Sequence, residues 1–261
     1  MPKEEHSPAQ PTLLERLDLA LATRMAHRAE LVDLRRAEAW SEKWMGPPAA
    51  APAHLIAGLL GLRGLAVTEA DAAAILAGGT GRHRREDQEY RLTVGLRGAL
   101  ARIVEHTGDG RMPDGWFMVE LFRTFAGELP RFRNNTLRRD LPWDTILYVT
   151  YPKPGQVRSL LDTFDQAHAF RDFPALFRSL HPVRQSFRIL WRLARIAPFP
   201  DFNLVMAFVA MNAALHARGY PMLAPRREDR ALLNRLVSGP PPRRIARFEA
   251  RLLELVATTE V

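Results

Sequence analysis

The sequence contains no cysteine, and lysine occurs only at Lys3, Lys43 and Lys153. The absence of cysteine excludes disulfide bonds and thiolate metal sites. Most of the 37 basic residues are therefore arginine, and the formal net charge is +8 at pH 7. A basic balance is compatible with a nucleic-acid partner, but no nucleic-acid-binding motif accompanies it. Because enrichment in Ala, Arg and Pro together indicates a coding bias, we expect nucleic acid not to be the partner.

The hydropathy of the sequence also predicts neither a membrane-spanning helix nor a secretory signal. The uncharged run at residues 202–215 predicts an apolar helix of about 15 residues, whereas a bilayer requires roughly 20. The first residues are Met-Pro-Lys-Glu-Glu-His, with two acids and no apolar run behind them, which argues against a secretory signal. We therefore expect a cytoplasmic protein with no membrane partner.

The chain divides near residue 50. Residues 1–10 have the composition of a disordered tail, and residues 13–43 follow the spacing of an amphipathic helix. The Pro- and Ala-rich stretch that starts at Gly46 then predicts a linker. We interpret residues 1–50 as a tail with a helical extension, and residues 51–261 as one helical domain.

The domain itself is predicted to be mainly α-helical. Apolar residues recur at helical spacing over residues 84–106, 114–127 and 182–196. Thr68 is the expected N-cap of a short helix, with Asp71 at the capping-box position. Only residues 146–151, which are β-branched and aromatic, favour a strand.

The helix predicted over residues 203–217 is the expected centre of the core. Asp201 and Asn203 are both suitable N-cap residues, and Gly219 followed by Pro221 predicts the end of the helix. Since no charged residue occurs from 202 to 215, the helix is apolar on all sides. A short helix of this kind is expected to be buried in a globular core.

The loop before this helix resembles the active-site motif of Fic (Fido-fold) proteins. That motif reads His-Pro-Phe-x-Asp/Glu-Gly-Asn-Gly-Arg-x-x-Arg, and an apolar helix ending in Arg-Gly-Tyr-Pro usually follows it. The matching residues are Pro198, Phe199, Asp201, Asn203, Gly219, Tyr220 and Pro221.

The remaining motif positions differ from the family pattern. Ala197 stands at the position of the catalytic histidine. Phe202 and Leu204 replace the two glycines, and Val205 and Phe208 replace the two arginines. The order of the motif is retained, but most of its chemical groups are lost.

The resemblance implies a Fido-like helical bundle with one small β-hairpin, called the flap, which docks the target segment. Ile146, Tyr148 and Thr150 would be the target-binding residues of the flap. Phe199, Asp201 and Asn203 are the remaining cofactor-binding positions of the motif. The reaction implied for the family moves AMP from ATP to a hydroxyl group of a target protein.

Each part of that chemistry is missing at its motif position. Ala197 cannot take a proton from the hydroxyl, and loss of a general base costs about 10²–10⁴ in rate. Phe202 and Leu204 are bulky where glycine lets phosphate approach the backbone. The sequence therefore predicts a degenerate Fic protein that acts by binding or regulating a protein partner, with no cofactor.

Three other interpretations stay open. A divergent transferase would move AMP or another phosphate-containing group, using ATP with Mg²⁺ held weakly by Asp201. Its base would have to be elsewhere, such as His181, which is expected some 20 Å away along the preceding helix. A second possibility is that Asp201 and Asn203 are only helix caps. The third is a basic helical domain that binds nucleic acid.

Overall fold

The structure is a computed structural model that describes residues 53–164, 182–227 and 229–238. The helix expected over residues 13–43, the boundary near residue 50 and His181 lie outside these ranges. The described residues form eight α-helices and no strand. In chain order the helices are α1 Ala53–Arg63, α2 Glu69–Leu76, α3 Gln88–Thr107, α4 Gly115–Ala126, α5 Pro154–Asp162, α6 Pro182–Ile196, α7 Asn203–Ala217 and α8 Asp229–Val237.

Helix α7 is the centre of the core, as the sequence predicts. Every residue from Asn203 to Leu215 is buried. Helix α6 packs along α7, and α1, α3 and α4 also contact it. Because burial of one large apolar side chain contributes roughly 1.5–3 kcal/mol, a helix that is apolar on all sides is stable only in this central position.

Helices α3 and α4 approach each other closely at Gly95. A Cβ atom at this position would lie 2.1 Å from the carbonyl oxygen of Phe125, so the contact requires glycine. Asp114 caps α4 by accepting a hydrogen bond from the backbone nitrogen of Phe117 at 2.7 Å. This packing brings Phe122 and Phe125 of α4 toward the loop that precedes α7.

The predicted capping box of α2 is confirmed. The Thr68 hydroxyl accepts a hydrogen bond from the Asp71 backbone nitrogen at 3.2 Å, and the Asp71 carboxylate accepts one from the Thr68 nitrogen at 3.0 Å. Arg82 also binds this carboxylate, with Nη2 2.7 Å from Oδ2. The hydrogen bond from Arg82, followed by that from Thr68, lowers the pKa of Asp71 below its usual range.

The strand expected over residues 146–151 does not form, and no β-hairpin is present in the described ranges. The segment instead contains turns, with a left-handed backbone at Tyr148 (φ 64°) and a hydrogen bond from Val149 to Ile146. The Ile146 nitrogen donates to the Tyr151 hydroxyl at 2.8 Å. A strand needs a neighbouring strand for its backbone groups, whereas here local and side-chain partners satisfy them.

None of the described helices combines the length and the apolar character that crossing a bilayer requires.

Candidate functional site

The candidate site is the loop of residues 197–203, which joins α6 to α7. Two of its non-glycine residues have left-handed backbones, Ala197 with φ 43° and Phe202 with φ 62°. This conformation costs a residue with a Cβ atom about 1–2 kcal/mol. Phe202 stands at a glycine position of the motif, so the loop keeps a backbone suited to glycine although the residue has changed.

The aromatic side chains of the loop offset this strain by packing in the core. Phe199 and Phe202 are fully buried. The Phe199 ring stacks on Phe122, with centroids 4.3 Å apart and planes at 6°. Phe202 makes edge contacts with Phe125 and Phe132 at 5.2 Å and 5.9 Å. Phe199, predicted as a remaining cofactor-binding position, is therefore placed within the hydrophobic core.

Arg138 holds the loop from outside. Its Nε donates to the Ala197 carbonyl at 2.6 Å, and its backbone nitrogen donates to the Pro198 carbonyl at 2.9 Å. The same guanidinium donates to Pro152 at 2.6 Å. Arg138 is buried, and burial lowers its pKa. These contacts fix residue 197, the position of the catalytic histidine in the motif, against the segment that follows α4.

Both carboxylate oxygens of Asp201 have partners. Arg63 at the end of α1 places Nε 2.6 Å from Oδ1 and Nη2 3.3 Å from Oδ2. The Phe202 nitrogen donates to Oδ1 at 2.8 Å, and Arg131 Nη2 lies 3.9 Å from Oδ2. The hydrogen bond to Asp201 raises the pKa of Arg63, so the guanidinium stays charged. Asp201, predicted as a weak Mg²⁺ ligand, is an ion-pair partner in this structure.

Asn203 binds the loop and Asp144 at once. Its side-chain oxygen accepts from the Phe199 nitrogen at 2.9 Å, and Nδ2 donates to the Phe199 carbonyl at 2.9 Å. Nδ2 also donates to Asp144 Oδ1 at 2.8 Å, and the Asn203 backbone nitrogen donates to Asp144 Oδ2 at 2.5 Å. The predicted capping role of Asp201 and Asn203 is wrong, because Phe202 is the N-cap and makes no side-chain capping bond.

Asp144 consequently places a carboxylate at the N-terminus of α7. Unpaired N–H groups and the helix dipole favour an anion at such a position. Burial raises the pKa of Asp144, the hydrogen bond from the Asn203 side chain lowers it, and the nearby Asp201 carboxylate raises it further, with a net upward shift. A carboxyl group of the protein itself thus occupies the place where the resemblance would put a phosphate.

A small polar cavity of about 100 Å³ opens beside the first turn of α7. Pockets for larger organic ligands measure roughly 300–1,000 Å³. The residues lining it are Leu62, Arg63, Trp143, Asp144, Thr145, Leu204, Val205, Arg230 and Asn234. Among the residues described, no group of three or more His, Cys, Asp or Glu side chains is arranged to hold a metal.

Four large apolar side chains lie exposed on the segment that passes this cavity. Their exposed fractions are 66% for Leu141, 58% for Trp143, 74% for Leu147 and 92% for Tyr148. We call these four residues the 141–148 surface. Of the predicted flap residues, Tyr148 and Thr150 are exposed. Ile146 is buried in the core and is therefore not available to a partner.

The described elements define a class of fold: a helical bundle around a buried central helix, with a packed loop that leads into the N-terminus of that helix. Comparison with solved structures identifies the fold. A Fic domain containing signaling protein from Bacteroides thetaiotaomicron aligns with a TM-score of 0.65 and 19% identity, covering 92% of this chain and 94% of its own. The chain therefore has the Fic (Fido) fold.

Two further Fic structures support the same fold. Fic-1 (residues 134–508) from C. elegans aligns with a TM-score of 0.61 and 17% identity, over 95% of this chain and 77% of its own. A Fic family protein from Desulfovibrio desulfuricans G20 aligns with a TM-score of 0.58 and 13% identity, over 97% of this chain and 76% of its own. No protein-family model matches the sequence, and no curated protein matches it. Likeness at these identities shows the fold alone.

Sequence reasoning did not find the residues that hold the loop. Arg63 reaches Asp201 across 138 positions, and Asp144 reaches Asn203 across 59. Arg138 lies between the helix expected over residues 114–127 and the strand expected over residues 146–151, where the sequence predicts no element. A buried acid next to an apolar helix requires a cation or donors, but nothing local in the sequence indicates which arginine supplies them.

Proposed function

We propose that this Fic-fold protein does not transfer nucleotides and acts as a protein-binding or regulatory pseudoenzyme. The observation that carries the proposal is the Asp144 carboxylate, which occupies the N-terminus of α7 and binds two donors of Asn203. A phosphate at this position would face Asp144 and Asp201 together. Each like-charge contact at about 4 Å costs roughly 1–4 kcal/mol between water and a protein surface.

The side chain at the motif's base position supports the same function. Ala197 is buried and has only a methyl group, so it cannot accept a proton from a target hydroxyl. Its carbonyl is also bound by Arg138. A missing general base lowers a rate by about 10²–10⁴. Here the base is absent, and Asp144 also takes the place where a phosphate would bind.

The space beside the helix is a third support. The cavity of about 100 Å³ at Leu204 and Val205 is smaller than the roughly 300–1,000 Å³ of pockets that hold larger ligands. Phe202 fills the core where a glycine would leave room. Nucleotide would therefore have to displace packed side chains as well as the Asp144 carboxylate.

The 141–148 surface supports the binding part of the proposal. Single exposed apolar residues are common, but a concentration of large ones on one segment marks an interaction site. Here four such side chains lie within eight positions, next to the loop. A protein partner would cover them.

An assay for AMP transfer tests the proposal. The purified chain is incubated with labelled ATP, Mg²⁺ and a mixture of cellular proteins, beside Asp201→Ala and a control with the exposed Asp109 changed to Ala. We expect no labelled protein in any reaction. Labelling that Asp201→Ala abolishes and Asp109→Ala retains would overturn the proposal.

A divergent transferase is the second candidate, and one observation favours it. Arg63 and Arg230 line the cavity beside Val205. They therefore place cations near the position where the family motif has an arginine and this chain has Val205. If Asp144 moved aside, these guanidinium groups could contact a phosphate. In that case the assay above would give labelled product, and an added Arg230→Gln variant would lose it.

A further inference from the structure

The cavity beside α7 is lined by a carboxyl group and a guanidinium group that form no ion pair within the described ranges. The other guanidinium in its wall, that of Arg63, is balanced by Asp201, with Nε 2.6 Å from Oδ1. Asp144 accepts its two hydrogen bonds from Asn203, a neutral residue. The Arg230 side chain makes no hydrogen bond or ion pair with any described residue. Because a carboxyl group can accept more than two hydrogen bonds, both Asp144 and Arg230 are available to a ligand.

The backbone at Gly64 makes room for the Arg230 head group. Gly64 has a left-handed backbone with φ 87°, and a Cβ atom on it would lie 2.7 Å from Arg230 Nη1. The guanidinium therefore lies against the residue that directly follows α1. Arg230 is half-buried, and a half-buried cation without a partner has lost part of its hydration. An anionic group bound beside Arg230 would compensate for that loss.

An anion alone does not suit this cavity, because Asp144 is part of the same wall. A carboxylate or phosphate paired with Arg230 would share the cavity with the Asp144 carboxyl group, and like charges at short range repel each other. A simple cation would meet the same difficulty at Arg63 and Arg230. A ligand that carries both charges avoids it, since its anionic end can pair with Arg230 and its cationic end with Asp144.

The volume of the cavity limits this ligand to a few non-hydrogen atoms. About 100 Å³ is well below the roughly 300–1,000 Å³ of pockets for larger organic ligands. Leu62, Leu204 and Val205 supply the apolar part of the lining, and Asn234 supplies an amide. Because an amide both donates and accepts hydrogen bonds, Asn234 can bind either end of a ligand with two charges.

We propose that this cavity binds a small zwitterionic amino acid of about the size of glycine. Its carboxylate pairs with Arg230, and its ammonium group pairs with Asp144. Guanidinium–carboxylate pairs are charge-assisted and directional, so the first contact orients the ligand. Because an ammonium group favours the ionised form of a neighbouring carboxyl group, the second pair forms although burial raises the pKa of Asp144.

This inference rests on the proposed function and gives its regulatory part a ligand. Trp143 belongs to the 141–148 surface and also lines the cavity. An amino acid in the cavity would therefore contact the segment that carries the surface.

Ligand-observed saturation-transfer NMR on the full chain tests the inference. Glycine is compared with acetate, methylammonium and acetamide, which carry only its anionic end, only its cationic end and neither charge. The variants are Arg230→Gln and Asp144→Asn. Their matched controls, Arg97→Gln and Asp140→Asn, change exposed residues that do not line the cavity. The unfolding temperature of every variant is measured beside its binding.

We expect glycine to bind the wild type with a dissociation constant on the order of a millimolar, because so small a ligand makes few contacts. Acetate, methylammonium and acetamide should bind about tenfold or more weakly, since each lacks at least one charged contact. Arg230→Gln should weaken glycine binding by a similar factor at an unchanged unfolding temperature. Both control variants should bind glycine like the wild type.

Asp144→Asn should reverse the preference between glycine and acetate. Glycine loses the partner of its ammonium group, whereas acetate no longer meets a carboxyl group of like charge. A purely structural effect of the substitution would weaken both ligands and leave their order unchanged, which would overturn the assignment of Asp144.

Three other results would overturn the inference. The first is no saturation transfer to glycine at concentrations well above millimolar. The second is binding of acetate or acetamide to the wild type as tight as that of glycine, which would define an anion site or a neutral site. The third is glycine binding that both Arg230→Gln and Asp144→Asn leave intact.

The failure of this inference can be distinguished from failure of the proposed function. A chain that binds neither glycine nor nucleotide would lose the amino-acid ligand and keep the function of a pseudoenzyme. Displacement of bound glycine by ATP with Mg²⁺ would support the position of the glycine site and overturn the proposed function.

Discussion

The carboxylate of Asp144 accepts hydrogen bonds from the backbone nitrogen and the side-chain amide of Asn203, at 2.5 Å and 2.8 Å. The two residues are 59 positions apart in sequence. Their contact closes the N-terminus of α7 with a carboxyl group from within the protein. Arg63 and Asp201 form an ion pair at the same loop. The stability of this arrangement and its exclusion of phosphate can be tested separately.

Replacement of Asp144 by alanine should destabilise the fold. The Asn203 donors lose their acceptor in a partly buried setting, which costs about 1–3 kcal/mol. Urea unfolding of Asp144→Ala measures this loss. The matched control is Asp140→Ala, an exposed acid on the same segment, which should change stability by less than about 0.5 kcal/mol. Equal effects of the two substitutions would show that the contact with Asn203 contributes nothing.

The pH dependence of Asp144→Asn follows from the raised pKa of Asp144. With a native pKa above the unfolded value of about 3.9, the folded state binds the proton more strongly. This contribution to stability is therefore present at low pH and is lost as pH rises through the raised native pKa. Asparagine cannot ionise, so the free energy of unfolding of Asp144→Asn should increase relative to that of the wild type as pH rises from about 4. A difference in unfolding free energy that does not change with pH, or that changes in the opposite direction, would contradict the raised pKa of Asp144.

Removal of Arg63 should leave Asp201 as a buried charge whose remaining partners are the Phe202 nitrogen at 2.8 Å and Arg131 Nη2 at 3.9 Å. Breaking a fully buried pair costs about 3–5 kcal/mol, and because the Arg63 side chain is 30% exposed we expect about 2–3 kcal/mol for Arg63→Gln. The double variant Arg63→Gln/Asp201→Asn should recover much of this loss. Arg139→Gln, at an exposed position, is the control. If the double variant loses the sum of the single losses, the two side chains are not coupled.

Substitutions at Phe202 separate backbone strain from core packing. Both Phe202→Ala and Phe202→Gly remove a fully buried ring, at about 3–5 kcal/mol. Because φ is 62°, glycine also removes strain that alanine keeps, about 1–2 kcal/mol. Phe202→Gly should therefore be the more stable variant in chemical denaturation. If alanine is the more stable, as it is in ordinary helical positions, the left-handed backbone at this residue is contradicted.

Local sequence features predicted the helices well because their causes are local. Helix α7 begins at Asn203 and ends at Ala217 as expected. An uncharged run followed by Gly219 and Pro221 strongly favours a buried helix that ends before these two residues. The capping box at Thr68 and Asp71 was also predicted correctly. The Fic fold was indicated by the order of residues in the motif rather than by helical periodicity.

The parts that were missed depend on residues far apart in the chain. The segment 146–151 has strand-forming residues. In the folded chain, however, the Ile146 side chain is buried in the core and its backbone nitrogen donates to the Tyr151 hydroxyl. Likewise, Asp201 and Asn203 are residue types that commonly cap helices. In the structure Arg63 binds Asp201, and Asn203 binds Asp144. The left-handed backbone at Phe202 is the one feature of the site that the family's glycine could have indicated.

Calorimetric titration of the purified chain with ATP and Mg²⁺ tests the central claim most directly. With Asp144 at the N-terminus of α7 and a cavity of about 100 Å³ beside it among the described residues, we predict no heat of binding and no change in unfolding temperature, also when GTP or CDP-choline replaces ATP. Binding in the micromolar range that weakens in Asp201→Ala would contradict the claim. It would show that the nucleotide site is retained and that the divergent transferase is the correct function.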